Sequence, residues 1–101
     1  MKSYKYTVVL ERNDEGGYTV TVPALKGCIT QGDTFAEAIE NAREALQCHI
    51  EGLAILSKRI PVDIKTIRLG TETSDEIFVV KIKVDADTQL VRRETQLATV
   101  T

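Results

Sequence analysis

The residues of this chain that could support nucleophilic chemistry are Cys28 and His49, its single histidine. A cysteine attacks as a thiolate, so a catalytic cysteine needs an adjacent base or positive charge that lowers its pKa. Cys28 precedes a predicted helix and His49 lies late in that helix, and nothing in this spacing brings the two together. We therefore expect a packed cysteine and a half-covered histidine, and the sequence predicts no catalytic residues.

The 15 acidic residues suggest a second chemistry, metal-dependent cleavage of nucleic acid. Such a site needs several carboxylates that project from strands toward one point and hold a divalent ion. The predicted strands contain almost no Asp or Glu, since Glu11 and Glu76 stand at strand ends. One histidine and two separated cysteines, Cys28 and Cys48, match neither a zinc site nor a disulfide framework. We expect no metal site and no cofactor, and a metal-dependent nuclease is the minority hypothesis.

The strands are defined by alternating apolar residues and by the residues that interrupt them. Every second residue from Tyr4 to Leu10 is apolar, which is typical of a strand with one solvent-facing side. A turn through Gly16 and Gly17 leads into a second such strand, and Pro23 ends it because proline has no amide hydrogen. Two further strands are predicted at "CITQ" (28–31) and "EIFVVKIKV" (76–84). We assign structural roles to residues that steer, cap or pack the backbone: Gly17, Pro23, Gly27, Cys28, Gly32 and Thr34.

A long helix has the strongest pattern in the sequence. Apolar residues recur at steps of three and four from Phe35 to Leu53 and form one stripe. Thr34 followed by Glu37 is a capping-box pattern, in which the hydroxyl and the carboxylate satisfy free amide groups. The helix is expected to run to about Leu56. This order predicts an α+β fold, β-β-β-α-β, with a small antiparallel sheet and one long helix packed on one face.

The fourth predicted strand is apolar on both sides in its first half. Phe78 and Val80 share one side, whereas Ile77 and Val79 precede Lys81 on the other. One helix covers only one face of a sheet, so the second apolar side needs another cover. We therefore expect homo-oligomers that form through Ile77, Val79 and Lys81.

Length and charge limit the classes of partner. A chain of 101 residues fits one domain, which we divide into a folded unit, 1–85, and a weakly patterned tail, 86–101. The formal net charge of −2 argues against direct DNA binding, which needs a basic surface. An acidic protein can bind a basic one, and Glu37, Glu40 and Glu44 are the candidate contacts, although a solvated helix face has the same pattern. The chain shows no membrane span and no signal region, so we expect a cytoplasmic protein.

The order of turn glycines, cap and helix stripe resembles the amino-terminal domain of HicB-type antitoxins. The matching stretch is "YTVVLERNDEGGYTVTVPALKGCITQGDTFAEAIENAREAL", and the likeness extends roughly from Tyr4 to Pro61; Lys26 stands where the family often has Pro. The resemblance implies a partial ribonuclease-H-like fold without that enzyme's catalytic carboxylates. It also implies dimers or tetramers that bind and inhibit a small basic HicA-type toxin, an mRNA-cleaving ribonuclease.

The resemblance leaves two questions open. Many family members carry a carboxyl-terminal DNA-binding domain, and the residues after Val84 do not have the pattern of one. We therefore expect that this chain does not regulate its own promoter. The alternative function is that of a solitary HicB-like oligomer, a regulatory or ligand-binding module without a toxin.

Overall fold

Four strands and one helix make up the fold in the computed structural model, which describes residues 2–66 and 76–88. The elements in chain order are β1 (Lys2–Arg12), β2 (Tyr18–Thr21), β3 (Ile29–Gly32), α1 (Phe35–Ile55) and β4 (Ile77–Ala86). The strands form one antiparallel sheet in the order β3-β2-β1-β4, and α1 packs on one face of it. This confirms the predicted fold. In the part of the chain that the structure describes, no helix is long and apolar enough to cross a membrane.

The core lies between α1 and the covered face of the sheet. Alternate residues of β1 point into it, and their cross-strand partners on β2 and β4 do the same. Leu25, in the turn after β2, folds back and is also buried. The helix contributes one residue from each successive turn: Ala38, Ala42, Leu46 and Ile50. Burial therefore follows the period of two along the strands and the step of four along the helix, as the sequence predicts.

The end of β3 and the first turns of α1 approach each other at Gly32. A Cβ atom on Gly32 would lie 2.4 Å from the backbone nitrogen of Ala38 and 2.6 Å from its Cα atom. No side chain fits in that space, so glycine allows this close contact. On the other side, the Gly32 carbonyl oxygen lies 3.0 Å from where a Cβ of Gly17 would be, and Gly17 has a φ of +80°. Two glycines thus join the β1–β2 turn to the start of the helix.

Thr34 caps α1, but only one of the two hydrogen bonds of the predicted capping box forms among the described residues. The Thr34 hydroxyl oxygen accepts a hydrogen bond from the Glu37 amide at 3.1 Å. Among the described residues the Glu37 carboxylate makes no bond back to Thr34, and the Glu37 side chain is exposed. The helix ends at Ile55 with Leu56 as its C-cap, within one residue of the expected end.

The direction of the backbone groups along the sheet follows from two hydrogen bonds of β1. The Arg12 amide donates to the Glu76 carbonyl on the β4 side, whereas the Thr7 amide donates to Asp63 on the opposite side. Backbone groups of successive residues in a strand point to opposite sides, so even-numbered residues of β1 pair with β4. In the observed register Leu10 lies opposite Phe78, so even-numbered residues of β4 also point toward β1. Odd-numbered residues of β4 therefore point their N–H and C=O groups away from the sheet.

Hydrogen bonds of Asp63 hold the segment after the helix against the uncovered face of the sheet. Its Oδ1 accepts the Thr7 amide at 2.8 Å, and its Oδ2 accepts the Thr7 hydroxyl at 2.8 Å and the Lys81 ammonium at 3.2 Å. Nearby, the Tyr6 hydroxyl donates to the Pro61 carbonyl. Partial burial raises the pKa of Asp63, but the hydrogen bonds from Thr7 and Lys81 outweigh burial and hold the pKa below its usual value. The sequence favours an extended or partly strand segment over residues 61–75; residues 61–66 lie in neither a helix nor a strand, and residues 67–75 lie outside the described residues.

The close approach at Gly32 gives a direct test of the fold. We expect Gly32→Ala to lower the free energy of unfolding by about 3 kcal/mol, because the added methyl group meets backbone atoms of Ala38. Gly52→Ala is the matched control, since its added methyl group meets no atom within 4 Å and alanine favours a helix by about 1 kcal/mol. Urea unfolding of both variants measures the difference. Equal shifts would contradict this packing of β3 on α1.

The bonds of Asp63 predict a pH dependence of stability. A carboxylate whose pKa is lowered on folding stabilises the protein fully above its unfolded pKa, about 3.9, and loses that contribution as the pH falls toward the lower folded pKa. We therefore expect Asp63→Asn to reduce stability at neutral pH, and we expect the difference from the wild type to shrink in acid below that value. Urea midpoints measured as a function of pH provide the test. A difference independent of pH would contradict the ionised hydrogen-bonded carboxylate.

Candidate partner-binding surfaces

Cys28 is a packed residue in this structure. It is 4% exposed, its amide donates to the Leu25 carbonyl, and its own carbonyl accepts from Val22. Burial, with a smaller contribution from Cys48, raises the pKa of the Cys28 thiol, which favours the protonated form. No hydrogen bond joins Cys28 to His49 within the described ranges, and no group of three His, Cys, Asp or Glu side chains there could hold a metal ion. The structure does not bring the two candidate nucleophilic residues together.

The candidate contact residues Glu37, Glu40 and Glu44 form an acidic row on the solvent side of α1. All three are exposed, whereas Ala38 and Ala42 on the opposite side of the helix are completely buried. Their spacing of three and four residues aligns them along one face of the helix. Among the described residues, none of the three carboxylates takes part in a hydrogen bond or an ion pair. The acidic row is therefore a line of uncompensated negative charge.

Glu51 lies further along the same helix and has a different role. Its carboxylate accepts a hydrogen bond from the Asp87 amide at 2.9 Å and a longer one, 3.4 Å, from the Gln47 side chain. This carboxylate ties the second half of α1 to the end of β4. It is part of the scaffold, so the free acidic row ends at Glu44.

The second candidate surface is the sheet face that α1 leaves uncovered. The ladder registers place one residue of each strand in a transverse row across this face: Ile29, Thr21, Val9 and Val79. Ile29 is 65% exposed and Val79 is 44% exposed at the two ends of the row. The predicted interface residues Ile77 and Lys81 flank Val79 on the same face, and the Lys81 ammonium pairs with Asp63.

Three aromatic rings meet where the helix begins. The rings of Tyr18, Phe35 and Phe78 contact one another edge to face, with centroids 5.3 to 6.3 Å apart. Phe35 is nevertheless 37% exposed and Phe78 is 42% exposed. Phe78 lies on the helix side of β4 and Val79 on the other side, so this strand carries exposed apolar groups on both sides.

Two helix residues with roles at the sheet edges were not identified from the sequence. The Asn41 side chain donates to the Gln31 carbonyl on β3 at 2.8 Å, and the Arg43 guanidinium donates to the Lys83 carbonyl on β4 at 2.7 Å. In the sequence both residues look like ordinary solvated positions of an amphipathic helix. Their roles depend on where the two edge strands lie beside α1, which the helix pattern does not encode.

The fold resembles solved structures of antitoxin domains. The amino-terminal domain of the Burkholderia pseudomallei antitoxin HicB superposes with a TM-score of 0.60 at 28% identity, over 82% of this chain and 98% of that chain. A chain of a HicA3 and HicB3 toxin–antitoxin complex superposes with a TM-score of 0.52 at 25% identity, again over 82% and 98%. The arrangement of sheet and helix is thus that of a HicB amino-terminal domain.

Sequence comparison gives the family. The chain is 50% identical over 58 residues to UPF0150 protein ssr1765 of Synechocystis, which covers 57% of this chain and 73% of that protein. It is 40% identical over 62 residues to Antitoxin HicB 1 of Photorhabdus laumondii, covering 61% of this chain and 40% of that protein. A family model described as HicB_like antitoxin of bacterial toxin-antitoxin system matches residues 6–101. The protein belongs to this family of HicB-like antitoxins, as the resemblance of its turns and helix implied.

The two cysteines provide a test of the packing around Cys28. Cys48 is exposed and Cys28 is buried, so a thiol reagent should modify Cys48 rapidly and Cys28 only after unfolding. Mass spectrometry of the labelled protein, with and without urea, measures this difference. The Cys48→Ser variant should resist labelling while it is folded. Fast modification of folded Cys48→Ser protein would show that Cys28 is accessible and would revive the nucleophile hypothesis.

Proposed function

We propose that this protein binds and inhibits a small basic HicA-type toxin that cleaves mRNA. Membership of the HicB-like antitoxin family supports the proposal, as does the likeness to a chain of a solved HicA3 and HicB3 complex. The protein acts by contact and obstruction and forms or breaks no covalent bond itself. A toxin that cleaves mRNA acts where mRNA is translated, so we place the antitoxin in the cytoplasm.

The observation that carries this proposal is the acidic row on α1. Three carboxylates without partners among the described residues face solvent from one helix, and their charge would complement a basic surface. Complementary charge speeds the encounter of two proteins and disfavours partners of the wrong sign. Arg43 lies between Glu40 and Glu44 in the sequence, but its guanidinium donates to the Lys83 carbonyl on β4 and does not pair with the acidic row.

The fold also holds the acidic row in a fixed position. The first turns of α1 are held by the Thr34 cap and by the contact between Gly32 and Ala38. A surface on a rigid helix loses little conformational freedom when a partner binds, so more of the electrostatic attraction is retained as affinity. This arrangement suits a protein that blocks another protein.

Neutralising two carboxylates of the acidic row should weaken toxin binding. We expect the double variant Glu40→Gln, Glu44→Gln to bind a HicA-type toxin on the order of tenfold more weakly at low salt, mainly through slower association. Association kinetics at two salt concentrations measure the effect, and an mRNA cleavage assay measures the loss of inhibition. The matched control is Asp14→Asn, Glu15→Gln, which makes the same change in net charge in the turn between β1 and β2.

Three outcomes would contradict the proposal. The first is failure of the wild-type protein to bind the toxin, and the second is equal weakening of binding by the two double variants. The third is cleavage of RNA by the pure protein in the presence of magnesium, which would favour the nuclease hypothesis. If the control binds like the wild type and the helix variant does not, the contact lies on α1.

A further inference from the structure

A groove opens beside the first half of β1, on the side of the strand away from β4. β2 pairs only with residues 9–12 of β1, so no described strand lies beside residues 2–8 on that side. The segment after the helix passes there instead, and the Tyr6 hydroxyl donates to the Pro61 carbonyl. The groove has a volume of about 460 Å³, and it is lined by residues 2–6, Lys58 and residues 60–63. We call it the basic groove.

Three ammonium groups line the basic groove without a carboxylate partner. They belong to Lys2, Lys5 and Lys58, and none of them forms an ion pair with another described residue. The carboxylate in the lining, that of Asp63, is already paired with Lys81. The groove is therefore a local site of positive charge and attracts anions, although the whole chain has a formal net charge of −2.

The backbone of β1 adds a hydrogen-bond donor to the same groove. Odd-numbered residues of β1 point their backbone groups away from β4, as the bond from the Thr7 amide to Asp63 shows. The Lys5 amide therefore points toward the groove, and it makes no hydrogen bond among the described residues. An amide donor next to ammonium groups suits the oxygens of a phosphate, which accept several charge-assisted hydrogen bonds.

Tyr4 supplies an aromatic surface in the groove. Its ring is nearly parallel to the ring of Tyr6, with 11° between the planes and 6.4 Å between the centroids. The buried Tyr6 ring thus fixes the position of Tyr4. The Lys2 ammonium lies over the Tyr4 ring, 5.6 Å from its centroid. A planar base can replace this cation on the ring, because aromatic faces attract both, and the ammonium is then available to a phosphate.

We propose that the basic groove binds a nucleotide unit, with its phosphate on the three ammonium groups and its base against Tyr4. The groove volume lies within the range of about 300 to 1,000 Å³ that is usual for small-ligand sites. Carboxylates of an acidic peptide would satisfy the charge but would leave the aromatic surface unused. The nucleotide unit can belong to a free nucleotide or to single-stranded RNA, since both present the same phosphate and base.

This site is separate from the acidic row. The basic groove lies beside the end of α1 and the start of β1, whereas Glu37, Glu40 and Glu44 lie on the first half of α1. The proposal therefore does not depend on the proposed function, and a toxin-free preparation of the protein is sufficient to test it.

Three probes separate the contributions of phosphate, base and strand. In calorimetric titrations at low salt we expect a short oligoadenylate and AMP to bind, and inorganic phosphate to bind at least about fivefold more weakly than AMP, because phosphate has no base to stack. Equal affinity for AMP and oligoadenylate would identify a free-nucleotide site, and tighter binding of oligoadenylate would identify an RNA site. Equal binding of phosphate and AMP, or no binding of AMP and oligoadenylate, would overturn the proposal.

Matched lysine variants locate the binding. Lys5→Gln and Lys58→Gln should each weaken oligoadenylate binding about fivefold at about 0.1 M salt, because one phosphate contact on a single strand contributes about 0.7 to the slope of log K against log salt. The same slope should fall by about that amount. Lys26→Gln is the control, since it removes the same charge from an exposed lysine between β2 and β3 and should bind like the wild type. Equal affinities of the three variants would overturn the site.

Two variants of Tyr4 test the base contact. Tyr4→Phe keeps the ring and should bind AMP like the wild type, whereas Tyr4→Leu should bind at least about fivefold more weakly through the loss of stacking. Tyr4 is half-buried, so thermal unfolding of both variants accompanies the titrations. If Tyr4→Leu does not fold, the ratio between AMP and phosphate affinities still tests the base contact. Unchanged affinity of folded Tyr4→Leu protein would overturn the proposal.

Discussion

One helix can pack on only one face of a four-stranded sheet, and the rest of this structure follows from that constraint. The buried apolar residues of the part of the chain that the structure describes form one cluster, between α1 and the sheet face that it covers. The other face of the sheet is only partly covered. Asp63 binds Thr7 and Lys81 and so holds the segment after the helix against β1, while Val79 and Ile29 remain partly open to solvent. A sheet with one uncovered apolar face is stable only when a strap, solvating charges or another molecule protects that face.

The helix has four sides, and three of them take part in the fold. One stripe builds the core. The two flanks carry Asn41 and Arg43, which bond the outward-facing carbonyls of the two edge strands. The remaining side faces solvent and carries Glu40 and Glu44, whose carboxylates make no hydrogen bond or ion pair among the described residues. Because the first three sides are committed to the fold, the surface that faces solvent is the part of the helix free to recognise a partner.

The local patterns in the sequence predicted the elements, their faces and the family, and they failed where tertiary geometry decides. Alternation identified the strands, and the Thr34 cap fixed the start of α1, because both signals depend on near neighbours. The bonds of Asp63 to Thr7 and of Arg43 to Lys83 join residues 56 and 40 positions apart, and no local pattern reports them. The division into 1–85 and 86–101 stays a prediction, since β4 includes Ala86 and residues 89–101 lie outside the described residues.

The contact between Gly32 and Ala38 also sets the shape of the core. Small residues, Ala38 and Ala42, face the sheet at the start of the helix, and larger ones, Leu46 and Ile50, face it toward the end. Small residues at these positions allow the first half of α1 to lie close to the sheet, as it does at Gly32. A larger side chain in place of Ala38 or Ala42 would push the first half of α1 away from the sheet and move its surface carboxylates with it. The volume of the buried helix residues thus determines where the acidic row lies. A substitution with no contact to a partner would therefore still change how that partner docks.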